Sequence, residues 1–185
     1  MLRKFLKSFG VTKGIKYSSN FYQDFFDNLG GMQFDDGLFN TIRLEDAGKW
    51  EEYLVDAFPK LDGKVLPFGY TWDGVFFSID LRDGKIFVCD VGENSCFWIG
   101  ISLADFLNEC LTDPSMDSLN SAEYRQWKAT NGPVPYGFCA GWRIPLFLSG
   151  KDEIENRELS DLEVYWGVFG QIRQQVMGDD YGSDN

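Results

Sequence analysis

Carboxylates are the plentiful chemistry-bearing side chains of this sequence: 29 Asp and Glu stand against 17 Lys and Arg, and none of the 185 residues is histidine. Without histidine, Ser-His-Asp and Cys-His nucleophile activation, a histidine general base and histidine-ligated zinc are all excluded. What remains is carboxylate chemistry: a metal held by acids, or a pair of acids flanking a glycosidic bond. Asp35-Asp36, Asp73, Asp80 and Asp90 are the best candidates. Each also has a local reason to be acidic. Asp35-Asp36-Gly37 and Asp73-Gly74 sit where turns need such residues, and Asp80 and Asp90 end β-rich runs, so the structural reading is preferred at all of them. The four cysteines, Cys89, Cys96, Cys110 and Cys139, include no Cys-x-x-Cys pair and read as reduced core thiols rather than zinc ligands. No Walker loop, dinucleotide Gly-x-Gly-x-x-Gly, Gly-x-Ser-x-Gly elbow or EF-hand loop occurs. The expectation is therefore no catalytic, cofactor-binding or metal-binding residue and no cofactor.

The elements that would position side chains alternate along the chain. Leu2, Phe5, Leu6 and Phe9 follow helical spacing within a basic arm, residues 1–16, that holds five bases and no acid. A membrane-surface helix is one reading of that stripe; a short helix docking on the core or on the acidic body is preferred. Tyr22, Phe25, Phe26 and Leu29 form a second stripe, capped from Ser18, Ser19 or Asn20 and stopped by Gly30-Gly31. Asp46 is placed to cap a helix burying Trp50, Tyr53, Leu54 and Ala57, with Pro59 ending it. Runs 75–80, 86–91 and 97–101 then read as three consecutive antiparallel strands, with Asp83-Gly84 turning between the first two. Ser102 and Asp105 form a capping-box pattern for a helix facing Leu103, Phe106, Leu107 and Cys110 inward. A further helix is expected over 122–128. A last one opens at Ser160-Asp161-Leu162-Glu163 and runs through Trp166, Phe169, Ile172 and Val176, weakened by Gly167 and Gly170. The fold class is α+β: an antiparallel meander with helices packed on one side, in a single compact unit. Neighbours Phe76 and Phe77 should then differ sharply in burial.

Composition bounds function further. Hydrophobic residues make up 44% and aromatics 17%, which excludes disorder for most of the chain. In so aromatic a chain Trp72, Trp98, Trp142 and Trp166 are expected in the core rather than in a ligand cage. The net charge of -12 repels phosphate, so direct nucleic-acid binding is disfavoured and a basic protein is the natural partner. No leader or apolar run of about 18 residues is visible, and the protein reads as soluble, without a membrane span, and cytoplasmic. The acids concentrate between Lys151 and Glu163. Asp152, Glu153, Glu155, Glu158 and Asp161, with Asn156 shaping the loop, are the expected partner-binding surface, and the Asp35-Asp36 turn is the second choice.

Two stretches carry a recognisable order. One is Leu66-Pro-Phe-Gly-Tyr-Thr-Trp-Asp-Gly-Val-Phe-Phe-Ser-Ile-Asp80 with Asp83-Gly-Lys-Ile-Phe-Val-Cys-Asp-Val-Gly92. The other runs from Trp142-Arg-Ile-Pro-Leu-Phe-Leu-Ser-Gly-Lys-Asp-Glu-Ile-Glu-Asn156 through Leu159-Ser-Asp-Leu-Glu-Val-Tyr165 to Gly170-Gln-Ile-Arg-Gln-Gln-Val176. Together they resemble the C-terminal domain of type VI secretion immunity proteins that protect bacteria from a secreted DNase. Gly30-Gly-Met-Gln-Phe-Asp-Asp-Gly-Leu-Phe39 and the Trp50 helix resemble the GAD-like domain found ahead of it. Ser149 departs from the pattern, standing where the family tends to have the first of two glycines. The meander with a Ser-capped helix is also similar to the SUKH immunity superfamily. The resemblance implies a GAD-like helical segment over 1–60, an immunity-type α+β domain over 61–178 and an acidic tail over 179–185. It also implies a non-enzymatic protein that neutralises a cognate toxin. A carboxylate-metal enzyme and a housekeeping interaction module unrelated to toxins are the alternative readings.

Overall fold

Six strands follow one another in chain order across an antiparallel sheet, in a computed structural model that describes residues 2–12, 15, 18, 20–113 and 115–177. They are β1 (Gln33–Phe34), β2 (Phe39–Thr41), β3 (Val65–Thr71), β4 (Phe76–Asp80), β5 (Lys85–Asp90) and β6 (Ser95–Ser102). The last three are the expected strands, consecutive and antiparallel, displaced by a residue or two at their ends. Gly84 takes the left-handed conformation (φ +73°) that the Asp83-Gly84 turn requires, and the Asp83 carboxylate accepts the Lys85 N–H at 3.0 Å. The first three strands were not legible from pattern. β3 contains Pro67 and Gly69, both unfavourable inside a strand, and a register shift falls between them. β2 hydrogen-bonds onto β3 and β1 onto β2, so the first sixty residues and those that follow share one sheet.

The helices are α1 (Arg3–Ser8), α2 (Phe21–Leu29), α3 (Ala47–Ala57), α4 (Leu103–Asp105, continued by a π turn over Phe106–Cys110), α5 (Ser121–Asn131) and α6 (Leu162–Met177). They cover both faces of the sheet, not one. Phe76 and Phe77 point to opposite sides, yet they are 0% and 2% exposed, so the expected contrast in burial fails because a second layer closes the sheet. On one side Phe76 meets Trp50 of α3 at 5.0 Å and Trp166 of α6 at 5.2 Å. On the other Phe77 meets Phe106 of the π turn at 4.7 Å, and Phe68 meets Phe25 of α2 at 5.9 Å. The basic arm docks on that second side: Leu2 and Phe5 of the stripe are fully buried, Phe5 lies 5.1 Å from Phe34, and Lys4 pairs with Glu109 at 2.6 Å.

Local signals explain most helix ends. Asn20 accepts the Gln23 N–H at 3.2 Å and Ser102 accepts that of Asp105 at 3.2 Å. Asp46 does precede α3, but its side chain makes no capping bond, because a 3₁₀ turn over Leu44–Asp46 leads into the helix. Gly170 sits where α6 crosses α3; a Cβ there would lie 3.5 Å from the Ala57 Cβ, an ordinary contact, so the helix forms through this position although its packing does not require glycine. All four cysteines are free, and Cys89 and Cys96 are directly opposite on β5 and β6. Among the described residues, no helix is long and apolar enough to cross a membrane.

Candidate functional site

The acidic stretch is built on a second, two-stranded sheet, β7 (Phe138–Trp142) paired antiparallel with β8 (Arg157–Asp161). The expected loop is thus loop only as far as Asn156; Glu158 and Asp161 lie on a strand. Ladder pairing of Trp142 with Arg157 and Gly141 with Glu158 fixes which side chains turn outward. The connection between the strands is tied down by one side chain. The Asn156 amide accepts the Ile144 N–H at 3.2 Å and donates to the carbonyls of Ile144 and Lys151, both at 2.9 Å, while its own carbonyl accepts the Arg143 N–H at 2.7 Å. Ser149 is left-handed (φ +64°), a conformation that a glycine supplies most cheaply. At Gly150 any Cβ would lie 2.0 Å from the Ile144 oxygen.

Asp152, Glu153, Glu155 and Glu158 project from this frame into solvent. Their ion pairs, Lys151–Glu153 at 3.8 Å and Arg143–Glu158 at 3.7 Å, are between exposed groups and contribute under about 1 kcal/mol each. Asp161 is occupied locally: its carboxylate accepts the N–H groups of Glu163 and Val164 and caps α6. Asn156 holds the loop rather than facing outward with its polar atoms. Asp35 and Asp36 stand elsewhere, in a left-handed turn between β1 and β2, where Asp36 pairs with Lys128 of α5 at 2.6 Å.

Beneath the acidic frame lies a polar cluster that sequence reasoning missed. Arg157, whose side chain is 2% exposed, lies with its guanidinium 3.6 Å from the Trp142 ring centre and 4.9 Å from that of Trp72. Its Nε and Nη2 donate to the two oxygens of Glu123 at 2.8 and 3.2 Å, and Nη1 donates to the Ala140 carbonyl at 3.2 Å. Asp73 stands 3.8 Å away and accepts from Thr71 and, at 3.1 Å, from Asn120. Burial opposes charge on Arg157, and Asp73 and Glu123 more than offset it. One arginine thereby joins the β3–β4 turn, α5 and the second sheet.

The field of this cluster spreads outward. Asp90, at the end of β5, is pushed up to about 7 by burial and then by Glu93 and Asp73, against the pull of the N–H groups of Glu93 and Gly92 that it accepts. Glu93 is raised by burial and then by Asp152 of the acidic frame. Burial holds the Cys139 thiol and the Tyr165 phenol neutral, reinforced by Asp73 and Asp90 respectively. Asp80, the remaining acid singled out from sequence, is held low by bidentate hydrogen bonds from Arg82. Among the described residues, no group of three His, Cys, Asp or Glu side chains is placed to hold a metal ion. Arg157 carried almost no signal in sequence, being one of two bases in an acidic run, and Trp72 and Trp142 looked like ordinary core. Trp98, expected in the core, is 51% exposed.

No protein-family model matches the chain, and no curated protein matches it in sequence. Among solved structures, the crystal structure of Atu4351 from Agrobacterium tumefaciens is similar in fold, with a TM-score of 0.65 and 15% identity over 92% of this chain and 89% of that one. A likeness at that identity speaks to the α+β architecture alone.

Proposed function

We propose that this chain is an immunity-type binding protein of the bacterial cytoplasm that neutralises a cognate basic toxin, a nuclease delivered by type VI secretion, without catalysing a reaction. The observation that carries the reading is the acidic frame: Asp152, Glu153 and Glu155 stand exposed on the connection and Glu158 on the strand that follows it, all held in one shape by Asn156 and Arg157. A nuclease is basic where it grips DNA, so a fixed acidic surface on a protein of charge -12 complements it and gains association rate by steering. Preorganised carboxylates also lose little conformational freedom on binding. The motif order over Leu66–Gly92 and Trp142–Val176 supports the same family reading, and its second stretch supplies the frame.

The test is co-expression with the product of the gene immediately upstream. Expressed alone, that product should arrest growth and degrade DNA, and this chain should relieve both. A harmless neighbour, or toxicity that this chain does not relieve, would overturn the proposal. With the purified pair, reversing Asp152, Glu153 and Glu155 to Lys should slow association roughly tenfold at low salt and flatten its salt dependence while leaving the fold intact. Unchanged kinetics would move the interface off this frame.

A further inference from the structure

The second side of the sheet ends in a groove that the described residues do not fill. Phe77, Phe97, Ile99, Ile101, Phe106 and Met116 line a cavity of about 350 Å³ between β6 and the segment after α4. Phe97 is 44% and Met116 56% exposed at its mouth. The surrounding segment is acidic: Met116 and Ser118, both on the lining, flank Asp117. The Cys110 thiol, also on the wall, is raised by burial and then by Glu109, Asp105 and Asp113. These four acids are offset by Lys4 and Arg125 nearby and by Lys85 at the far end of the β5–β6 ladder.

Two observations on the molecule say what such a groove takes. First, the same turn already accepts a segment of one chemistry. Helix α1 buries Leu2 and Phe5, while its Lys4 reaches Glu109 and the Phe5 N–H donates to Asn108 at 3.3 Å. Residues 108 and 109 thus receive a basic amphipathic helix, and residues 106 and 110 of that turn wall the open groove. Second, β6 is poorly shaped for adding a strand. Its ladder with β5 shifts register beyond Phe87, and Gly100 is left-handed (φ +70°) against the ring of Trp98, a bulged edge that turns away from pairing. A second copy of the chain is disfavoured by its own charge of -12, and its basic helix is already buried against its own core.

We infer that the groove seats the apolar face of a basic amphipathic helix of a partner protein, with its lysines or arginines directed to Asp105, Asp113 and Asp117, since Glu109 is taken by Lys4. The inference rests on the partner being a basic protein, as proposed above, and adds a second contact region distinct from the 152–158 frame. A short leucine–lysine amphipathic helical peptide is the probe, added to full-length protein labelled with ¹³C at the methionine methyls. The Met116 resonance should shift on titration while that of Met32, outside the groove, stays. Met116→Lys, at a site exposed enough not to disturb folding, should weaken the peptide by at least about tenfold, and Phe97→Lys should do the same. A stationary Met116 resonance, or equal affinity for the folded Met116→Lys protein, would overturn the inference. So would a wild-type dimer that Met116→Lys dissolves, which would assign the groove to a second copy. Growth rescue by the upstream pair does not depend on any of these readings, so the groove can fail while the immunity reading stands.

Discussion

The two sides of the sheet finish differently, although a single pair of neighbours, Phe76 and Phe77, begins both. On the Phe76 side the chain completes its own cover. Trp50 and Trp166 close over the ring, Trp166 donates its indole N–H to the Gly74 carbonyl at 2.9 Å, and the polar cluster around Arg157 seals the end beside the β3–β4 turn. On the Phe77 side α1, α2 and the π turn cover part of the face and stop, leaving Phe97 and Met116 at the mouth of a groove. Buried charge is tolerated where each group has a partner; exposed apolar surface is left where none of the described residues reaches. The first side is about holding shape. The second is available for contact.

Phenylalanine truncations put the sharpest strain on that contrast. Phe76→Ala should cost about 3–5 kcal/mol, because the fully buried ring packs against Trp50, Tyr70 and Trp166 and its removal leaves a cavity. Phe97→Ala, at 44% exposure, should cost under about 1 kcal/mol. Urea denaturation of both variants decides it. Similar losses would mean that Phe97 is sealed in solution and the groove is closed.

Removing Arg157 should come close behind. Arg157→Met keeps much of the stem but deprives both Glu123 and the buried Asp73 of the guanidinium, a loss of roughly 3–5 kcal/mol. Adding Glu123→Gln and Asp73→Asn should recover part of it, since the penalty is that of acids left without their cation, Asp73 buried and Glu123 partly so, rather than of the missing contact. If the triple variant is no better than the single one, the stacking of Arg157 between Trp142 and Trp72 carries the stability instead.

What was legible in the sequence follows the range of the forces involved. Strands β4 to β6 and the helices with Asn20, Ser102 and Asp161 at their starts are specified by residues within a few positions of one another, and they are where pattern placed them. β3 was not, because Pro67 and Gly69 disguise a strand whose place is decided by partners from both β2 and β4. The acids of the 152–161 stretch were visible, and so was the shaping role of Asn156. Arg157 was not, because its partners are Glu123, 34 residues earlier in the chain, and Asp73, further still. The second cover of the sheet was likewise set by long-range packing of α1 and α2, which alternation along β4 cannot report.

The smallest effect expected is also the one that reads the charge balance of the sealed side directly. Asp90 is pushed up to about 7, from an ordinary 3.8, by burial first and by Glu93 and Asp73 next. Between those values the native protein holds a proton that the unfolded chain has already released. Raising the pH through this window therefore removes stability, and the loss is complete above about 7. Asp90→Asn keeps an oxygen to accept the Gly92 and Glu93 N–H groups and carries no charge to bury. It should be more stable than the parent by at least about 1 kcal/mol at pH 8, and the two should converge near pH 4. Glu93 is raised as well and is present in both proteins, so some decline with pH should persist in the variant. Parallel stability profiles for the two proteins would show that Asp90 ionises without cost. The polar cluster would then have cation capacity to spare, and partner supply would not be what limits buried charge on this side of the sheet.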